Sequence, residues 1–160
     1  MSLQDLYQQL ILDHARERHG RGLREAAEGQ VVGENQQVNP LCGDEVRVRV
    51  VIRPAAAGEP ALIGDLSWTG EGCSISQAAT SVLHDLVVGL PVAEAQARLD
   101  AYRQMIRSRG QEEPDEEVLG DAVAFAGVGR HANRVKCAML GWTAFEAALS
   151  QASSTQEVAG

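Results

Sequence analysis

The chain has 160 residues, 44% of them apolar, and a formal charge of −8. That length suits one domain with a real core, and the apolar content argues for a folded chain rather than a disordered one. The charge argues against a nucleic-acid surface. No run reaches the roughly 18 apolar residues of a membrane span, and no signal-peptide pattern opens the chain, so a cytoplasmic protein is expected.

From Leu3 to about Arg18, residues Leu3, Leu6, Tyr7, Leu10 and Ile11 follow helical spacing, with His14 continuing the face. Ser2 is placed to cap this helix, with Asp5 at its third position. Gly20 and Gly22 then break the pattern. The basic cluster Arg16, Arg18, His19, Arg21 and Arg24 reads first as a solvated helix end among acidic neighbours, and second as a dock for an acidic partner.

"GQVVGENQQVN" predicts a weak strand. Val46, Val48, Val50 and Ile52 then alternate with Glu45, Arg47, Val51 and Arg53, which predicts a strand with one buried face. Leu62, Leu66 and Trp68 mark another, completing an antiparallel sheet. A helix follows "GEGC", with Ile75, Ala79, Val82, Leu83 and Leu86 on one face, and Gly89 with Pro91 ends it. Another helix is expected over Val92 to about Arg107, then the charged, turn-rich "SRGQEEPDEE". The last helix is expected from about His131 to Ser150, with Val135, Met139, Trp142, Phe145 and Leu149 as its apolar stripe. Strands first and helices after them predict an α+β fold. A single domain over 1–150 with a disordered tail over 151–160 is the expected organisation.

The cysteines carry the chemistry. Three is an odd number, and a reducing compartment disfavours disulfides. Cys42 stands in "PLCGD" ahead of a strand, Cys73 where a glycine-flanked loop opens a helix, and Cys137 in the first turns of the last helix. Gly70 and Gly72 are expected to let the chain turn sharply before Cys73, where a helix N-terminus favours an anion. Arg134 and Lys136 put positive charge beside Cys137. Three thiolates and the Asp44 carboxylate would complete a tetrahedral Zn²⁺ shell, with Asp44 the most exchangeable member. Spacing alone leaves an alternative open, because there is no CxxC pair and each cysteine could be a small buried hydrophobe. His14, His19, His84 and His131 are rival ligands. Of these, His84 reads as a surface or partly packed residue and His131 as a neighbour of the site.

"NPLCGDEVRVRV", "GEGCSISQAATS" and "RHANRVKCAMLGW" together resemble the iron–sulfur assembly family of IscU and NifU-like scaffolds, and are most similar to its SufU branch. "LYQQLILDHARERHGRG" is similar to that family's first helix. The long segment between Cys73 and Cys137 resembles the SufU insertion, and Lys136 stands where IscU-type proteins carry His. The resemblance implies a small three-stranded antiparallel sheet packed against helices, with a long helical insertion before the last helix. It implies Cys42, Asp44, Cys73 and Cys137 as zinc ligands, and a zinc-dependent sulfurtransferase that accepts persulfide sulfur from a SufS-type cysteine desulfurase. Delivery would be towards a downstream Suf cluster scaffold, and the desulfurase would carry its own pyridoxal phosphate. Cys42 would receive the sulfur, with Gly43 as hinge. Arg134 is similar in position to a family arginine thought to assist ligand exchange near Asp44; a helix-end salt bridge is its plainer role. The alternative within the same resemblance is a scaffold on which a [2Fe–2S] cluster is assembled. No nucleic-acid or membrane partner is expected.

Overall fold

The computed structural model describes residues 2–41 and 43–159, with side chains through Ser154. Helix α1 spans Leu3–Glu17 and opens on a reciprocal capping box. The Ser2 hydroxyl accepts from the Asp5 N–H at 3.1 Å, and the Asp5 carboxylate accepts from the Ser2 N–H at 3.2 Å. The buried stripe of α1 is narrower than the sequence suggests. Tyr7, Ile11 and His14 face the core, whereas Leu3 and Leu6 are exposed.

Strands β1 (Val31–Asn39), β2 (Asp44–Arg53) and β3 (Leu62–Glu71) form one antiparallel sheet in the order β1-β2-β3. Val46, Val48, Val50 and Ile52 are buried as the alternation predicts. The alternation fails at Val51, which is also buried, where the β2–β3 register shifts. Val51 pairs with Asp65 and Ile52 with Ile63, so Gly64 is passed over. This slip turns Ile63 into the core in place of Leu62.

Helix α2 (Ser74–Val87) and α3 (Val92–Arg107) follow the sheet. A short helix, α4 (Glu116–Leu119), and 3₁₀ turns over Gly120–Arg130 then lead to α5 (Ala132–Ala159). Helix α5 lies against β1 and β2, and α2 packs on α5, α1 and β3. Trp68, Trp142, Tyr102, Phe125 and Phe145 are fully buried in the shared core, each worth roughly 1.5–3 kcal/mol of apolar burial. Tyr102 stacks on Trp142 at 3.7 Å and donates its hydroxyl to the Ala138 carbonyl at 2.8 Å, so its polar tip is satisfied.

Helix α5 does not stop at Ser150. Ala152 is fully buried, and the Gln151 side chain accepts from the Glu34 N–H of edge strand β1 at 2.8 Å. These contacts keep helical a stretch whose polar composition suggested a tail. No helix among the described residues is long and apolar enough to cross a membrane.

Candidate metal centre

Strand β2, α2 and α5 converge at one end of the sheet. Asp44 is the first residue of β2, Cys73 the N-cap of α2, and Cys137 lies in the second turn of α5. One donor atom from each lies within 4.8 Å of the others. Asp44 and Cys137 are buried, at 1% and 6% exposure, while Cys73 is exposed. The group therefore has a closed floor and an open side.

A buried carboxylate needs compensation, and α2 supplies it. Cys73 caps the helix without a side-chain bond to its backbone, and Asp44 Oδ1 instead accepts the Cys73 N–H at 2.9 Å. The negative charge thus sits at the positive end of α2. Asp44 Oδ2 lies 3.5 Å from Cys73 Sγ, and Ser76 Oγ lies 3.9 Å from the same sulfur. Ser76 donates to the Cys73 carbonyl at 3.0 Å, which fixes the first turn.

The two flanking glycines act by close approach rather than by sharp turning. Neither has a positive φ. A Cβ on Gly72 would stand 2.6 Å from Asp44 Oδ1 and from Ser76 Oγ, and one on Gly70 would strike the Glu45 carbonyl. Gly43 is the position that requires glycine's freedom. Its φ is +74°, and its N–H donates to the Asn39 carbonyl at 2.9 Å, closing the connection over 40–43 between β1 and β2. Cys42 lies outside the described residues, so the expectations placed on it are carried by the sequence. Its neighbour Leu41 is 84% exposed.

Arg134 and Lys136 are exposed, and neither forms an ion pair among the described residues, so the salt-bridge role for Arg134 is not realised. His131 precedes α5 and is exposed. His84, partly buried on α2, meets Asp85 at 2.9 Å. His14 and His19 form a separate three-donor group with Asp85, spread too widely along the chain for spacing to reveal.

Two thiols and a buried carboxylate on three separate elements form a donor group of the class that could hold a metal ion, and its chemistry fits zinc. A family model for the NifU-like N-terminal domain matches residues 6–138. The chain is 32% identical over 156 residues to the iron–sulfur cluster assembly scaffold protein IscU of Streptococcus pyogenes serotype M1, covering 98% of this chain and 90% of that protein. It is also 32% identical over 145 residues to the zinc-dependent sulfurtransferase SufU of Bacillus subtilis (strain 168), covering 91% and 90%. A crystal structure from Fervidobacterium islandicum AW-1, described as an iron–sulfur cluster assembly scaffold for the SUF system, matches with a TM-score of 0.68 and 30% identity over 92% of this chain and 99% of that one. The chain belongs to the NifU-like N-terminal domain family, the iron–sulfur cluster assembly family of IscU and SufU.

Proposed function

We propose that this protein is a zinc-dependent sulfurtransferase, accepting persulfide sulfur from a SufS-type cysteine desulfurase and delivering it for iron–sulfur cluster assembly. The carrying observation is the convergence of Asp44, Cys73 and Cys137, two thiols and a helix-capped carboxylate with one open side. Cys42, two residues before Asp44 in sequence, completes a four-ligand set. Bound zinc would hold the thiols deprotonated and mask their nucleophilicity.

In this reading Asp44, fixed to α2, and Cys137, buried in α5, hold the floor of the site, while Cys42 on the 40–43 connection is the acceptor. The Cys42 thiolate attacks the terminal sulfur of the partner's persulfide. A new S–S bond forms on Cys42, the partner's S–S bond breaks, and its electron pair leaves on the partner's thiolate. No outside oxidant or reductant is needed. Gly43, already left-handed, lets the connection move without displacing β2. Arg134, with no carboxylate partner among the described residues and three positions before Cys137, is available to assist exchange at the site.

A scaffold reading is favoured by a different observation: the Streptococcus pyogenes relative, and a Thermotoga maritima relative 30% identical over 148 residues, are both named scaffold proteins. Against it stands Lys136 immediately before Cys137, which supplies no imidazole to the site. Metal analysis and visible absorption of anaerobically purified protein separate the two. About one equivalent of colourless zinc is the expected result; a brown iron–sulfur chromophore would overturn the transfer reading.

A further inference from the structure

The chain has 14 Lys and Arg residues, and among the described residues seven of them pair with carboxylates. The cluster at Arg16 to Arg24 belongs mostly to that half. Arg16 meets Asp13, Arg21 meets Glu71, and Arg24 grips Asp65 through two bonds of 2.8 and 2.9 Å. A surface already neutralised in this way is poorly suited to steering a partner.

Five of the seven unpaired cations lie elsewhere. Arg107, Arg109, Arg130, Arg134 and Lys136 are all exposed, and none comes within 4.0 Å of a carboxylate among the described residues. They are remote in sequence but joined in the fold. The turn after α3 lies against the end of the 3₁₀ segment: a Cβ on Gly110 would stand 2.5 Å from Arg130 Nε, and one on Gly129 would stand 3.4 Å from Arg109 Cα. The Arg134 N–H donates to the His131 carbonyl at 2.9 Å, carrying the charge onto the first turn of α5. Arg134 and Cys137, three positions apart on that helix, share a face, so the basic surface borders the thiol site. Arg109 takes φ +56°, the left-handed conformation that commonly ends a helix, and this turns the chain from α3 towards the 3₁₀ segment.

The acidic run from Glu112 follows directly but does not discharge the surface. Glu112 accepts from Gln104 of α3, and Asp115 caps α4 through the Glu117 N–H. On a body of charge −8, such a concentration of unpaired cations is conspicuous.

We propose that Arg107, Arg109, Arg130, Arg134 and Lys136 form the docking surface for an acidic face on the protein that delivers sulfur to the adjoining thiols. This rests on the sulfur-transfer reading. A protein occupant is favoured over nucleic acid because the neighbouring acidic run would repel a continuous phosphate backbone, whereas a bounded acidic patch can meet the cations alone.

The test measures association of the full-length, zinc-loaded protein with purified cysteine desulfurase of the same organism, by stopped flow at low and high salt. The R107E/R130E variant should associate on the order of ten-fold more slowly at low salt and lose most of the salt dependence. Zinc content and melting temperature serve as folding controls. R53E, an unpaired surface cation outside the cluster, should associate like wild type. If R107E/R130E misfolds, the milder R107Q/R109Q should show the same slowing to a smaller degree. Wild-type rates for both patch variants would overturn the docking assignment while leaving sulfur transfer standing. Failure of wild type to engage the desulfurase at all would overturn both. Binding of a duplex DNA oligonucleotide that the reversal abolishes, with desulfurase association unchanged, would reassign the surface to nucleic acid.

Discussion

The His14–His19–Asp85 group and the Asp44–Cys73–Cys137 group each bring three donor atoms within 4.8 Å, yet use those atoms differently. Every ring nitrogen in the histidine group already has a partner. His14 contacts Ser81 at 2.8 Å and Asp121 at 3.1 Å, and His19 contacts Asp85 at 2.6 Å and Glu17 at 2.9 Å. These bonds tie α1 to α2 and to the 3₁₀ segment. The thiol group instead pairs one buried carboxylate with a helix N-terminus and leaves Cys73 open to solvent. Proximity of donors therefore does not by itself make a metal centre. One group is a clasp built from hydrogen bonds; the other offers soft donors that a cation can recruit.

The comparison breaks most sharply under cysteine substitution. Cys73→Ser and Cys137→Ser should lose zinc and stability together, because α2 and α5 are the elements the ion would tie. Structural zinc can supply roughly 10–16 kcal/mol, as much as a domain's whole stability of about 5–15 kcal/mol. Thermal melting with and without a chelator checks this, and equal melting temperatures would remove the structural part of the account. Gly72→Ala comes next. Its Cβ would crowd Asp44 Oδ1 and Ser76 Oγ, costing about 1–3 kcal/mol and lowering zinc affinity, as a competitive chelator titration would show.

Substitution in the histidine group should leave the metal untouched. His19→Ala is expected to keep full zinc content and to cost less than about 1 kcal/mol, since the clasp is partly exposed. A fall in metal stoichiometry would show that the clasp binds an ion after all. The smallest effect is in pH. The hydrogen bond to Asp85, opposed by burial and reinforced by Glu17, raises the His19 pKa above its ordinary 6.5. Its stabilisation is thus complete below about 6.5 and is lost as pH rises through the raised folded value. Burial opposes the shift at Asp85, but hydrogen bonds from His84 and His19 hold its carboxyl below the ordinary 3.8. That contribution is present above 3.8 and disappears as pH falls through the lowered value. The gap in melting temperature between wild type and His19→Ala should accordingly be widest in mildly acidic buffer and narrow towards alkaline pH.

Where local pattern and tertiary contact agree, the sequence reads well. The Ser2–Asp5 cap, the β2 alternation and the helix starts after Cys73 and before Cys137 are all visible as residues at fixed offsets. So is the placement of Cys73 at the start of α2 and of Cys137 in the first turns of α5, which brings them to Asp44. The features that local pattern does not show depend on partners distant in the chain. Ile63 rather than Leu62 enters the core because the register slips at Gly64, and α5 continues past Ser150 because Gln151 and Ala152 contact β1. The His14–Asp121 contact spans 107 positions, and the unpaired basic surface joins two segments whose cations are unremarkable singly. The pairing of Arg21 and Arg24 likewise comes from Glu71 and Asp65, which lie far along the chain on β3.

The central claim is that Cys42 receives sulfur while Cys73 and Cys137 remain on the metal. Zinc-loaded protein incubated with desulfurase and cysteine, then digested without reductant and mapped by mass spectrometry, tests it directly. The account predicts one additional sulfur on the peptide carrying Cys42, and no stimulation of the desulfurase by Cys42→Ala. An adduct on the peptide of Cys73 or Cys137, with Cys42 unmodified, would contradict it.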